Sequence, residues 1–211
     1  MVPGGPGHSH QSVRDISAIG SVPRLVAIEP CSEREARLAI RWAVEENSAS
    51  TYLRFVNVPL DLPYSLPDAY EMRVGCGVTL RAGQEVALVG YGPLLMSQAW
   101  QAADLLAAEG ISTAVVNLPW LNRIDEAWVA DTLARFPAIV TLDNHYVTLG
   151  QGVMVAAALA RAGARADVRS IGLTDVPACG NNAEVLAHHG LDPAGIVRTV
   201  LTCTHSKSFT G

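Results

Sequence analysis

Several things that would identify a nucleic-acid, membrane or metal protein are missing from this sequence. Only 17% of its 211 residues are charged, the net charge is −5, and there is no run of basic residues, so a polyanion would find no electrostatic footprint. No apolar stretch reaches the ~18 to 20 residues of a membrane span. The opening Met1-Val-Pro-Gly-Gly-Pro lacks the charged-then-apolar start of a secretory signal. Together these absences predict a cytoplasmic protein with neither nucleic acid nor membrane as partner. Cys31, Cys76, Cys179 and Cys203 are scattered with no CxxC pair, which indicates neither a zinc site nor a disulfide framework. Gly90-Tyr-Gly92 lacks the third glycine of a dinucleotide fingerprint, and no Gly-Lys-Ser/Thr of a P-loop occurs. Those two glycines still lie between a strand and a helix, where backbone N–H groups can meet a phosphate. A tight turn without a ligand is the simpler reading.

Hydrophobic residues, by contrast, make up 49% of the chain, ample for a core. The length suits one full domain and part of another. The organising stretch is 138–161, AIVTLDNHYVTLGQGVMVAAALAR. Its first five residues are apolar and rich in β-branched types, which predicts a strand buried on both faces over 138–142. Asp143-Asn-His145 would then stand at the strand's carboxyl end, followed by Gly150, Gly152 and a helix over 153–159 that is apolar nearly all round. In open α/β sheets ligands sit at such strand ends. Asp143 and His145 are therefore either a site or the fastening of a loop and an interface.

Taken in order, the first 15 residues form a Gly/Pro-rich loop, followed by a short helix over 16–19 and strands over 24–29 and 51–56. Ser32 and Glu35 form a capping-box pattern that starts a helix, with Ala36, Leu38, Ala39, Trp42 and Ala43 on its buried face. Pro59, Pro63 and Pro67 favour an extended connection, and 70–81 reads as a small hairpin. Strands over 85–89, 112–118, 138–142 and 167–171 then alternate with helices over 94–108, 126–136, 153–159, 183–189 and 193–201. This alternation predicts a mostly parallel sheet flanked by helices.

Chemically, the most loaded loop is Gly7-His-Ser-His-Gln-Ser12. A histidine there can donate a proton near neutral pH, and Ser and Gln can bind hydroxyls, which suits polyhydroxylated or carbonyl substrates. The two histidines at i, i+2 have no third ligand nearby in sequence to complete a metal site.

GHSHQSVRDISAIGSVPRLVAIEPCSEREA resembles the end of the pyrimidine-binding domain of the transketolase family. That family's pattern is roughly Asp-Gly-x-Ser/Thr-His-Gln/His-Ser, then Pro-Asn and a strand ending in Pro-x-Asp-x-x-Glu. On that match His10 falls on the substrate-contacting histidine, Ser9 on the residue before it, Pro23 on the proline and Glu35 on the helix glutamate. Tyr52-Leu-Arg54 resembles the Tyr-Ile-Arg strand, Asp143-Asn-His145 with Gly150 and Gly152 the acidic-x-His and glycine run, and 171–192 the closing motif. The resemblance covers about 5–202.

It implies an α/β architecture in four parts. Residues 1–60 would be a partial pyrimidine-binding domain, 61–74 a linker, 75–203 a transketolase C-terminal-like domain and 204–211 a loose tail. It also implies thiamine diphosphate and Mg in an assembled enzyme that moves a two-carbon ketol unit between sugars. His10 would be catalytic, and Ser9, Gln11 and Arg54 would contact the sugar substrate. The Gly-Asp-Gly and Asn metal motif and the cofactor-activating glutamate of the family have no counterpart here, so neither cofactor is expected on this chain alone. An N-terminal transketolase-like chain or segment would supply them in a homo- or hetero-oligomer. Pro6 stands where the family has Asp, and Asn57 where many members have a phosphate-binding arginine. Two other readings remain open. One is a non-catalytic assembly or regulatory module, or a truncated product; the other is a related thiamine enzyme, deoxyxylulose phosphate synthase or a 2-oxo acid dehydrogenase beta subunit.

Overall fold

The computed structural model describes residues 11–57 and 59–205, and no side chain of 204 or 205. A five-stranded sheet of order β3-β5-β4-β6-β7 forms its centre: β3 (Val78–Arg81), β4 (Val86–Gly90), β5 (Thr113–Asn117), β6 (Ala138–Tyr146) and β7 (Asp167–Leu173). All neighbours are parallel except β3, which runs antiparallel to β5 on one edge. The expected mostly parallel sheet is what forms. The helices α3 (Gly92–Ala108), α4 (Glu126–Thr132), α5 (Gln151–Arg161), α6 (Asn182–His188) and α7 (Pro193–His205) connect and cover the strands.

Alternation along the strands splits the core in two. Val86, Leu88, Val115 and Val140 pack with α3, α6 and α7 on one face, whereas Ala87, Val89, Ala114, Val116 and Ile139 pack with α4 and α5 on the other. Every residue of β4 and β5 is buried, as their continuous apolar runs require of a sheet covered on both sides.

Ahead of this sheet lie α1 (Asp15–Ile19), β1 (Val26–Ile28), α2 (Glu33–Glu45) and β2 (Thr51–Leu53), with β1 and β2 paired in parallel. This small sheet is spliced onto the large one. Ile28 bridges to Trp120, Glu29 N–H donates to Pro119 O at 2.9 Å, and Leu121 N–H donates to Ala27 O at 2.8 Å. Val26 and Ile28 join the core on one face, and Ala27 joins the core on the other. Residues 61–74 carry no helix or strand but are tied down. Tyr64 and Leu66 are buried, and Arg34 donates to Pro67 O at 2.9 Å and Asp68 O at 2.7 Å.

Several elements differ from expectation. Residues 70–81 form no hairpin; only Val78–Arg81 is a strand, and it adds to β5. The capping box at Ser32 is half made: Ser32 Oγ accepts from Glu35 N–H, but Glu35 turns to Cys31 N–H at 2.7 Å because it is drawn into a buried cluster. Helix α4 stops at Thr132 and leaves Phe136 to plug the core from a loop. Helix α5 buries one face only, with Val153 exposed. Helix α7 extends through residues 204 and 205, the start of the expected tail; 206–211 lie outside the described residues. Most consequential is β6, which continues through Asp143-Asn-His145 to Tyr146 rather than ending at Leu142.

Candidate functional site

From β4 the chain steps to β5 on one side and returns to β6 on the other, so the order reverses at the carboxyl ends of β4 and β6. That crevice is where ligands of open α/β sheets bind. Here Tyr91, Asn117 and Asp143–His145 line it, and side chains of the preceding segment fill it.

Asp143 is buried in β6, yet each of its oxygens is used. Oδ1 accepts from Tyr91 Oη at 3.1 Å and from Gln151 N–H at 3.0 Å; Oδ2 accepts from Gly152 N–H at 3.0 Å. These amides open α5, whose N-cap is Gly150, so the strand lends the carboxylate that the cap lacks. Gly152 permits the approach: a Cβ there would lie 2.3 Å from Thr141 Oγ1 and 2.9 Å from Asp143 Oδ2. Burial pushes the Asp143 carboxyl up to about 6 against the pull of Gly152 N–H and Tyr91. Gln151 then reaches across and donates to Leu118 O at 2.7 Å and Trp120 O at 2.9 Å.

Beside it lies an ion cluster contributed by both segments. Arg54, 4% exposed, sets Nη1 2.8 Å from Glu29 Oε2 and Nε 2.8 Å from Asp15 Oδ2. It also donates to Asn144 Oδ1 and, at 2.8 Å, to Ser12 O. Tyr52 Oη donates to the same Asp15 oxygen at 3.0 Å, and Asn144 Nδ2 to Glu29 Oε1 at 3.3 Å. Burial raises the Glu29 carboxyl while Arg54 opposes it. Gly92 closes over Glu29 at φ 70°, and a Cβ on it would stand 2.1 Å from Glu29 Oε1. The Gly90-Tyr-Gly92 turn thus packs on a carboxyl group of its own chain.

Two further buried groups complete the joint. Glu35 accepts from Asn117 Nδ2 at 2.8 Å and Tyr70 Oη at 2.5 Å, and burial raises it as well. The His145 ring has Nδ1 2.7 Å from Tyr146 O and Nε2 3.3 Å from Ser17 N. A carbonyl can only accept and an amide can only donate, so Nδ1 carries the proton and the ring is neutral. Burial lowers its pKa accordingly.

Of the expected site residues, Ser9 and His10 lie outside the described residues. Gln11 is 7% exposed and donates from Nε2 to Ala178 O at 3.4 Å. Arg54, for which the resemblance implies a substrate contact, turns its guanidinium inward to the buried Glu29 and the largely buried Asp15. The structure brings Gln11 and Arg54 to the same place through Ser12, which Arg54 grips. Glu29, Tyr91 and Asn117 escape sequence reasoning as site residues. The one available signal was Glu29, a lone acid closing the apolar strand RLVAIE. The crevice does not fit thiamine diphosphate: its occupants are carboxyl groups, and its one guanidinium is already paired. Among the described residues no group of three or more His, Cys, Asp or Glu could hold a metal ion.

The family model for the transketolase C-terminal domain matches residues 75–196. The chain is 32% identical over 200 residues to a 1-deoxy-D-xylulose-5-phosphate synthase of Acidovorax sp., covering 93% of this chain and 30% of that protein. It is 34% identical over 175 residues to an uncharacterised transketolase family protein of Sinorhizobium fredii, with 81% and 49% covered. The chain therefore spans less than half the length of either relative. Among solved structures, a split-gene transketolase described as an inactive beta4 tetramer superposes with TM-score 0.80 at 27% identity, over 92% of this chain and 62% of that one. A transketolase of Pichia stipitis matches in fold with TM-score 0.72 at 18% identity, over 97% of this chain and 29% of its own length.

Proposed function

The chain belongs to the transketolase family through its C-terminal domain, and on that premise we propose that it is the C-terminal part of a thiamine diphosphate-dependent enzyme moving a two-carbon ketol unit between sugars. Within this reading residues 1–60 are the rear of a pyrimidine-binding domain, and a partner polypeptide supplies the parts that hold thiamine diphosphate and Mg. The active assembly is a cytoplasmic homo- or hetero-oligomer. His10 contacts the sugar and stabilises charge developing on its oxygens, with Ser9 and Gln11 beside it. Arg54, occupied by Glu29 and Asp15, holds the base of that loop.

One observation carries the reading. The crevice in which an α/β domain ordinarily binds a ligand is filled by Glu29, Glu35 and Arg54 of the preceding segment, so the C-terminal domain serves as a dock for that segment. The likeness to a transketolase described as split-gene supports a separate partner chain.

Reconstitution tests this. The purified chain mixed with an N-terminal transketolase-like chain, thiamine diphosphate and Mg is expected to transfer ketol units, and each chain alone is not. In that assembly His10→Ala should lower turnover by about 10²-fold, the scale of a positioned acid or base. Tight thiamine diphosphate binding to this chain alone, seen by calorimetry, would sink the reading.

A second reading, synthesis of 1-deoxy-D-xylulose 5-phosphate, is favoured by the name of the Acidovorax relative. Assaying the reconstituted pair with either set of substrates separates the two. A non-catalytic assembly module predicts no turnover with any partner.

A further inference from the structure

Three consecutive residues of β6, Asn144, His145 and Tyr146, do something that neither the sheet nor a helix cap requires. Strand β4 pairs with β6 only as far as Thr141, and β7 loses its register after Leu142 and regains it at Tyr146. In that interval the strand turns its polar groups toward residues 11–19. Tyr146 N–H donates to Val13 O at 3.1 Å. His145 Nε2 accepts from Ser17 N–H in α1 at 3.3 Å, and Asn144 shares Arg54 with Ser12 O and Asp15. Val13 and Ile16 are buried in the core beneath. A short helix of five residues is marginal by itself, so the position of this segment is set by what grips it.

We propose that His145 is a positioning residue: with Asn144 and Tyr146 it latches residues 11–19 to the C-terminal domain, fixing the base of the chain that leads directly back to Ser9 and His10. The functional consequence rests on the transketolase reading; the latch itself does not. The geometry selects His145 as the adjustable part. Its ring spans two backbone groups, Tyr146 O and Ser17 N–H, in one neutral tautomer, and the acceptor at Nε2 is what Ser17 would lose. Glutamine can present an acceptor oxygen at a similar reach, while alanine cannot.

Amide hydrogen exchange on the whole chain provides the first test. His145→Ala should speed exchange of residues 11–19 by about tenfold, the worth of one buried hydrogen bond, with β4 and β5 still protected, and His145→Gln should restore much of the protection. Acceleration spread evenly over the sheet, or none at residues 11–19, overturns the proposal. The reconstituted enzyme provides the second. There His145→Ala should reduce kcat more than it changes KM, with rescue by His145→Gln. Selective loosening with unchanged turnover overturns the positioning role. If the unsubstituted pair shows no ketol transfer at all, the transketolase reading fails and the exchange result alone decides the latch.

Discussion

The two halves of β6 are one strand put to two uses. Ala138–Thr141 pairs with β4 and β7 together, and its apolar Ala138, Ile139 and Val140 alternate between the two cores. Asp143–Tyr146 leaves β4 and spends its polar groups on α5, Arg54, Ser17 and Val13. The first half builds a sheet by burying surface; the second half fastens that sheet to the preceding segment by satisfying charges and amides. Burial runs from Ala138 through His145 and means different things in each half.

Three substitutions would sharpen or break that contrast. Arg54→Ala should have the largest effect, about 4 kcal/mol, because it leaves Glu29 buried without a counter-charge and takes Asp15's ion-pair partner away. Urea unfolding should report that loss, and hydrogen exchange should place it at β1, β2 and α1 while β4 stays protected. Equal loss across the large sheet would erase the distinction. Ile139→Ala comes next, at about 3 kcal/mol for a fully buried isoleucine, and should lower protection of the whole five-stranded sheet.

Asp143→Asn is the smallest, about 1 kcal/mol at neutral pH for an altered cap, and its signature lies in pH. The folded Asp143 carboxyl is pushed up to about 6 from 3.8, so the folded state holds the proton more tightly. That contribution to stability is fully present below 3.8 and is lost as pH rises through 6. The stability difference between parent and Asp143→Asn should therefore decline across that window, and a flat difference would mean that the group does not titrate there.

The apolar half of β6 and the runs of β4 and β5 were legible from sequence, since continuous β-branched residues admit few other structures. The polar half was not. Asp143-Asn-His145 reads from sequence as the polar carboxyl end of a strand, because three polar residues continue a buried strand only when partners wait for them. Those partners are Tyr91 and the first amides of α5 for Asp143, Glu29 and Arg54 for Asn144, and Ser17 for His145, and no local pattern links Asn144 or His145 to residues about a hundred positions away. The same distance explains Arg54: the resemblance marked it as a substrate contact, while Glu29 and Asp15 decide where its guanidinium points. The hairpin expected over 70–81 reduces to β3 for a different reason: its four residues pair with β5 rather than with a neighbour in sequence.

The splice at β1 has a mechanical corollary. Val26 and Ile28 are sunk into one wall and Ala27 into the opposite wall, like a tenon seated in its mortise, and Arg34 pins the strap that runs outside. Covalent continuity through residues 61–74 is thereby made redundant. A protease nick in that strap is expected to yield two fragments that still elute together from a sizing column and separate only in denaturant.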